Sequence, residues 1–232
     1  MITKKKYYFN FLIRVLKRLI FGPFDNFLKY STGVIHIGAN VGQERNHYKK
    51  YNVKKILWVE PDPNTFRQLK KNIKPYKNQK ALNYLLTDKK KITKFNISNF
   101  GGNASSIFDF STHKEMHPKV KFINKILLNS STLIDMIKKE KIKLKNYNTL
   151  VLDTQGSELL ILKGAAKILN EFKYIKLETS DFEIYKNAPT LKVISRFLKI
   201  YNFVEVKKII IDENKNGGKV FDILYSKKII YN

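Results

Sequence analysis

The chain has 232 residues, no cysteine, and 45 basic against 19 acidic residues, a formal charge of +26 at pH 7. That length supports one sizeable core and is short for two enzymatic domains with linkers. Without cysteine, disulfides, zinc–thiolate sites and thiol nucleophiles are excluded, and the redox compartment stays open.

At the N-terminus Leu12, Val15, Leu16, Leu19 and Ile20 recur at helical spacing, with Arg14, Lys17 and Arg18 largely on the other side. This predicts an amphipathic helix ending at Gly22-Pro23. Charges interrupt each apolar run well short of the ~18 residues a membrane span needs, and no small-residue cleavage site follows. The expected organisation is a helical extension over residues 1–30 and one α/β domain over 31–232. The helix either packs on the domain or lies on an anionic inner leaflet, which would place a cytoplasmic protein peripherally at the inner membrane face.

Residues 34–37, Val-Ile-His-Ile, form an apolar run suited to a buried parallel strand, followed by Gly38-Ala39-Asn40-Val41-Gly42. The two glycines allow a tight strand-to-helix turn whose backbone can approach a ligand. Residues 56–59 are the next strand. Glu60 ends it about 20 residues after the glycines, where a carboxylate can take both hydroxyls of a ribose. The pattern is Gly-x-x-x-Gly with Asn40 at the place of the middle glycine of a dinucleotide fingerprint, which disfavours a pyrophosphate. No Gly-Lys-Ser/Thr follows, so a Walker loop is excluded. An adenosine ligand without a diphosphate remains, S-adenosylmethionine being the common case.

Asp62 can cap, and Pro63 open, a helix running toward Ile73, with Pro75 beyond it. Residues 81–86 read as the third strand, with Asp88 at its carboxyl end placed to meet an adenine edge or to serve only as a turn carboxylate. Residues 91–130 break the βα rhythm. Residues 92–97 can be a strand, 101–106 a polar loop, and His113 and His117 lie nearby. Pro118 and the lack of a third ligand argue against metal there, so both histidines are expected to be solvated. A helix begins at Ser130 or Ser131 and covers 132–140, and residues 149–152 are the fourth strand. Asp153 then falls where the sheet order should reverse, the usual ligand crevice of an open α/β sheet. Gly156 makes the turn, and Glu158, in the first helical turn, reads as a helix-end charge. Residues 174–177 are the fifth strand with Glu178 at its tip. Asp153 and Glu178 would therefore be adjacent carboxylates, able to raise one another's pKa and act as a general base, or to bind substrate hydroxyls. A helix over 191–201, a strand over 203–206, and a hairpin of 209–211 with 220–225 complete the chain.

Four blocks resemble the FkbM-type methyltransferases. They are His36-Ile-Gly-Ala-Asn-Val-Gly-Gln43, Trp58-Val-Glu-Pro-Asp-Pro-Asn-Thr-Phe66, Leu152-Asp-Thr-Gln-Gly-Ser-Glu-Leu159 running on to Ala165, and Leu177-Glu-Thr-Ser180. The resemblance implies a doubly wound, mostly parallel, seven-stranded Rossmann-like sheet whose last strand is antiparallel. It implies S-adenosylmethionine as cofactor and methyl transfer, expected at a hydroxyl of a sugar, glycan or secondary metabolite. His36, Gly38, Ala39, Asn40, Gly42, Glu60, Pro61, Asp88, Ser105 and Asp153 are the expected cofactor residues, Ser105 through a loop resembling the family's segment over the cofactor. Asp153 and Glu178 are the expected catalytic pair, and no metal is expected. The first motif departs from the pattern, because His36 stands where the family has an acid. In the wider superfamily that acid helps hold the methionine amino group. A neutral imidazole could accept the same bond, whereas an imidazolium would repel ammonium and sulfonium. The other reading makes His36 a satisfied strand-end residue.

The basic charge alone would suit nucleic acid. Only five of the basic residues are arginine, however, and the lysines are scattered among Asn and Ile. Phosphate contacts favour the planar guanidinium, so nucleic acid is not the expected partner, and an anionic glycan, a nucleotide-linked sugar or a membrane surface would use the same charge. Two other classes stay open: a non-catalytic basic scaffold of this fold, and a nicotinamide-dependent sugar enzyme, which would lack its third glycine and an evident Tyr-x-x-x-Lys pair.

Overall fold

A computed structural model describes residues 24–228. The amphipathic helix expected over the first twenty residues lies outside them. Seven strands form the central sheet: β1 (Val34–Ile37), β2 (Ile56–Val59), β3 (Gln79–Leu82), β7 (Thr149–Leu152), β8 (Tyr174–Ser180), β9 (Phe203–Glu213) and β10 (Lys219–Lys227). Their order is β3-β2-β1-β7-β8-β10-β9. All neighbouring pairs are parallel except β8/β10 and β10/β9, so β10 alone runs against the rest. This is the doubly wound, mostly parallel, seven-stranded sheet the resemblance implied. The chain winds outward from β1 to β3 and then returns to β7 on the other side of β1. A crevice opens at that reversal, beyond the carboxyl ends of the strands.

Each face of the sheet is apolar, as both-sided cover requires. Ile35, Leu57, Leu150 and Leu177 turn to one side, against Leu133 and Met136 of α4 (Leu133–Lys139), Leu162 of α5 (Glu158–Gly164) and Ile194 and Leu198 of α6 (Leu191–Ile200). Val34, Trp58, Val151 and Leu224 turn to the other, against Tyr48 of α1 (Arg45–Lys50) and Leu69 and Ile73 of α2 (Pro63–Ile73). Phe24, Phe27 and Leu28 of a 3-10 helix, Phe24–Tyr30, cover the same face. The core thus reaches upstream of residue 31, where the domain was expected to start.

Several elements differ from the expected ones. The strand predicted over 81–86 splits at Asn83, whose side-chain amide donates to the carbonyls of Glu60 and Pro61. β3 ends at Leu82, and Leu85–Leu86 (β4) leaves the main sheet to pair with β6 (Phe122–Ser131). β6 and β5 (Ile92–Ser98) form an antiparallel hairpin, giving a second sheet of order β4-β6-β5. Thr132, rather than either serine before it, caps α4 by accepting from Asp135 N at 3.1 Å. β8 runs three residues past the predicted end because β10 continues the ladder after β7 has stopped, with Asp222 opposite Glu178 and Val220 opposite Ser180. The predicted strands over 203–206 and 209–211 are one, β9, whose register shifts against β10 at two places.

Candidate active site

The turn after β1 is held by its neighbours. Gly38 N and Ala39 N both donate to Val59 O, at 3.0 and 3.1 Å. Gly38 has φ +80°, and a Cβ there would sit 1.8 Å from Asp153 O. A Cβ at Gly42, φ +73°, would meet Leu69 Cδ1 at 2.8 Å. The space beside both glycines is therefore filled by protein. Ala39 is buried in the core beside them.

Glu60 reaches back to this turn. Its Oε2 accepts from Asn40 N at 2.8 Å and its Oε1 from Asp62 N at 2.9 Å. Burial pushes its pKa up to about 7, against the pull of these two donors. Asp62 takes the N-cap role expected of it, accepting from Asn64 N and Thr65 N. Asn40 then ties the turn to the loop after β5, its side-chain amide donating to Gly101 O at 2.9 Å and Asn103 Oδ1 at 3.0 Å. Ser105 secures that loop from within, its Oγ accepting from Ser98 N at 3.0 Å.

His36 is 3% exposed, with Nδ1 2.9 Å from Tyr48 Oη and its ring 5.1 Å from that of Trp58. Burial holds the Tyr48 phenol far above its ordinary pKa, so it stays protonated beside the imidazole. A strand-end residue with a buried partner and a residue lining the cleft are here the same histidine.

A cleft of about 1410 Å³ runs along the carboxyl ends of the strands. Of the residues expected to hold cofactor it is lined by His36, Gly38, Asn40, Glu60, Pro61, Ser105 and Asp153. Ala39, Gly42 and Asp88 do not line it. Asp88 was placed by assuming that β3 ran to residue 86. With β3 ending at Leu82, Tyr84, Leu85 and Leu86 reach the cleft, while Thr87 and Asp88 pack on Gly164 at the end of α5.

Asp153 and Glu178 both line the cleft, as expected of residues on adjacent strands. The amide of Gln155 stands between them, its Nε2 donating to Asp153 Oδ1 at 2.8 Å and reaching Glu178 Oε1 at 3.5 Å. Tyr185 Oη donates to Gln155 Oε1 at 2.6 Å, which fixes which end of the amide faces the carboxylates. Gln155 lies inside the Asp-x-Gln-Gly block, where its type was visible but its part was missed; nothing in the sequence pointed to Tyr185. Glu158 is more than a helix-end charge. It is 2% exposed, and its Oε1 accepts from Thr154 N, Thr154 Oγ1 and Gly156 N, closing the turn that carries Asp153 and Gln155. Its pKa too is pushed up to about 7 by burial.

The two histidines of the insertion are not solvated. His113 of α3 (His113–Met116) is buried and stacked on Phe110 at 4.5 Å, and His117 Nε2 lies 3.1 Å from Asp212 Oδ2. Both line the cleft beside Glu178. Among the described residues no group of three or more His, Asp or Glu is placed to hold a metal ion.

The sequence pattern of the methyltransferase FkbM domain matches residues 36–205. The chain is 24% identical over 178 residues to the 2-O-methyltransferase NoeI of Sinorhizobium fredii, covering 74% of this chain and 72% of that protein. Among solved structures it is similar to the METTL16 methyltransferase domain, with a TM-score of 0.49, 12% identity, and 85% of this chain covered. It is also similar to M. capricolum TrmK in complex with S-adenosyl-homocysteine, with a TM-score of 0.48, 10% identity, and 84% covered. The match spans 60% and 62% of those two solved chains.

Proposed function

This chain belongs to the FkbM methyltransferase family, and on that premise we propose that it methylates a hydroxyl of a sugar, glycan or other secondary metabolite. It is a methyltransferase, and its cofactor is S-adenosylmethionine. The observation that carries the finer reading is the Asp153–Gln155–Glu178 arrangement, just past β7 and within β8, two carboxylates bridged by one amide within the cleft. The likeness to a 2-O-methyltransferase supports the oxygen direction.

The residues at the crevice fit the cofactor's groups. Each Glu60 oxygen already takes one backbone N–H and keeps a further acceptor position, which suits two ribose hydroxyls. Leu85, Leu86 and Tyr84 offer an apolar wall of the kind an adenine ring needs. His36, paired with Tyr48, and Asp153 supply the polar groups for the amino-acid end. When bound, the sulfonium supplies a methyl group that is already activated. The chain's own task is then to align an acceptor oxygen and to take or share its proton. Glu178, which lines the cleft and is not among the residues assigned to the cofactor, is the candidate to accept that proton.

The test is incubation with S-adenosylmethionine labelled in its methyl group and a panel of hydroxyl-bearing glycosides, the product being located by mass spectrometry and NMR. A methyl ether is expected, and its formation should be abolished in Glu178→Gln while cofactor binding is kept. Methylation at nitrogen or carbon, or full turnover in that variant, would contradict the reading.

A further inference from the structure

The hairpin of β5 and β6 carries a feature that methyl transfer does not use. Ile92, Ile123 and Leu127 are 71, 67 and 73% exposed. Register sets Ile92 opposite Asn129 and Lys94 opposite Leu127, so these side chains share the outward face with Ile123 and Lys125, while Thr93 and Phe95 turn inward and Asn96 is covered by the segment through Phe108 and Asp109. Residues 89–98 and 119–131 hold seven lysines and no Asp or Glu. Lys90 and Lys94 form ion pairs with Asp135 and Asp109, and Lys89, Lys91, Lys121 and Lys125 are exposed.

Single exposed aliphatic side chains are ordinary. Three on one hairpin face, among seven lysines of which Lys90 and Lys94 are paired with acids, are the composition of a net-positive surface that meets lipid headgroups and the first acyl carbons together. A second copy is a poor occupant, because a two-fold contact would set this basic face against itself. Nucleic acid is poorer still: the hairpin strands have no arginine, and aliphatic side chains offer no stacking platform.

We propose that this face docks on a bilayer containing anionic lipid. Phe100, 53% exposed just past β5, and Val120, just before β6, also line the cleft, so the docked face borders the cleft's mouth. Docking itself is independent of what the cleft methylates. On the reading that the acceptor is a glycan, a lipid-anchored one would meet the site at the membrane surface.

The experiment is sedimentation of the full chain with vesicles of phosphatidylcholine, with and without phosphatidylglycerol, at low and high salt. Binding to the anionic vesicles alone, weakened by salt, is expected. Each lysine near such a surface contributes about fivefold to partitioning, so Lys121→Gln/Lys125→Gln should weaken it at least ~tenfold. Ile123→Ser/Leu127→Ser should weaken it comparably, and both pairs lie at exposed positions where the unfolding midpoint should hold. Partitioning unchanged in both variants, which would put the membrane contact elsewhere on the chain, would overturn the proposal. So would equal binding to neutral vesicles, or binding to an RNA oligonucleotide that the same variants lose while vesicles are not bound.

Discussion

Glu60 and Glu158 are buried carboxyl groups, each with its pKa pushed up to about 7 and each accepting backbone N–H groups that organise a ligand loop. Their consequences differ. Hydroxyl donors of a bound ribose favour the ionised form of Glu60, so cofactor affinity should fall as pH drops below about 7, approaching tenfold per pH unit. Isothermal titration with S-adenosylhomocysteine on either side of neutrality should record that fall in the native protein and a flatter profile in Glu60→Gln. Glu158 governs stability. Its folded pKa lies above the unfolded one, so its contribution is complete below the unfolded value of 4.5 and is lost as pH rises through about 7. A shift of that size amounts to about 3 kcal/mol. Glu158→Gln keeps an oxygen for the Thr154 and Gly156 donors but does not titrate. Thermal unfolding should show the native protein losing ground to this variant between about pH 4.5 and about pH 7. Glu60 was legible in the sequence because its distance from the glycines and its place at a strand end are both local. The burial of Glu158 was not, because it arises from how the turn after β7 folds back on the carboxylate.

Among the elements, β1 and β7 meet so closely that Gly38 has no room for a side chain. Gly38→Ala should cost about 1–2 kcal/mol from the left-handed backbone alone. It should cost more as the Asp153 carbonyl, 1.8 Å from the added Cβ, is displaced. Urea denaturation would give the loss, and cofactor binding should fail with it, since Asp153 moves. The strands that were read correctly are short, mainly apolar runs of four residues between turn signals, such as β1, β2 and β7. The reading failed where an apolar run crossed from one sheet to another. Residues 81–86 look like one strand, but Asn83 bonds to the Glu60 and Pro61 carbonyls and turns the chain into the second sheet. Asp88, placed from that reading, does not line the cleft. His113 and His117 were misread because the stacking on Phe110 and the Asp212 partner come from segments distant in sequence. Residues 89–131, where the two-residue and helical periods give way, are also where the hairpin and the cleft's rim arise, in keeping with ligand-binding segments being loops and insertions on a rigid sheet.

At the scale of the molecule, the reversal of strand order between β1 and β7 puts the first motif, Glu60 and the Asp153 turn around one crevice, and β8 brings Glu178 to it. The alternation of apolar runs with helix signals made the strands legible, and the family resemblance implied the doubly wound sheet. The charge of +26 pointed to an anionic partner without locating the surface that would meet one, because lysines are spread along the whole chain. The hairpin face emerges only when exposure and strand register are known. None of the helices among the described residues is long and apolar enough to cross a membrane. The central claim is that this crevice binds S-adenosylmethionine through Glu60. Calorimetric titration with S-adenosylhomocysteine, with NAD as the comparison ligand, tests it most directly. Binding of the former alone, weakened ~100-fold in Glu60→Ala through loss of charge-assisted hydrogen bonds, is the result expected. An unchanged dissociation constant in that variant, or tighter binding of NAD, would contradict it.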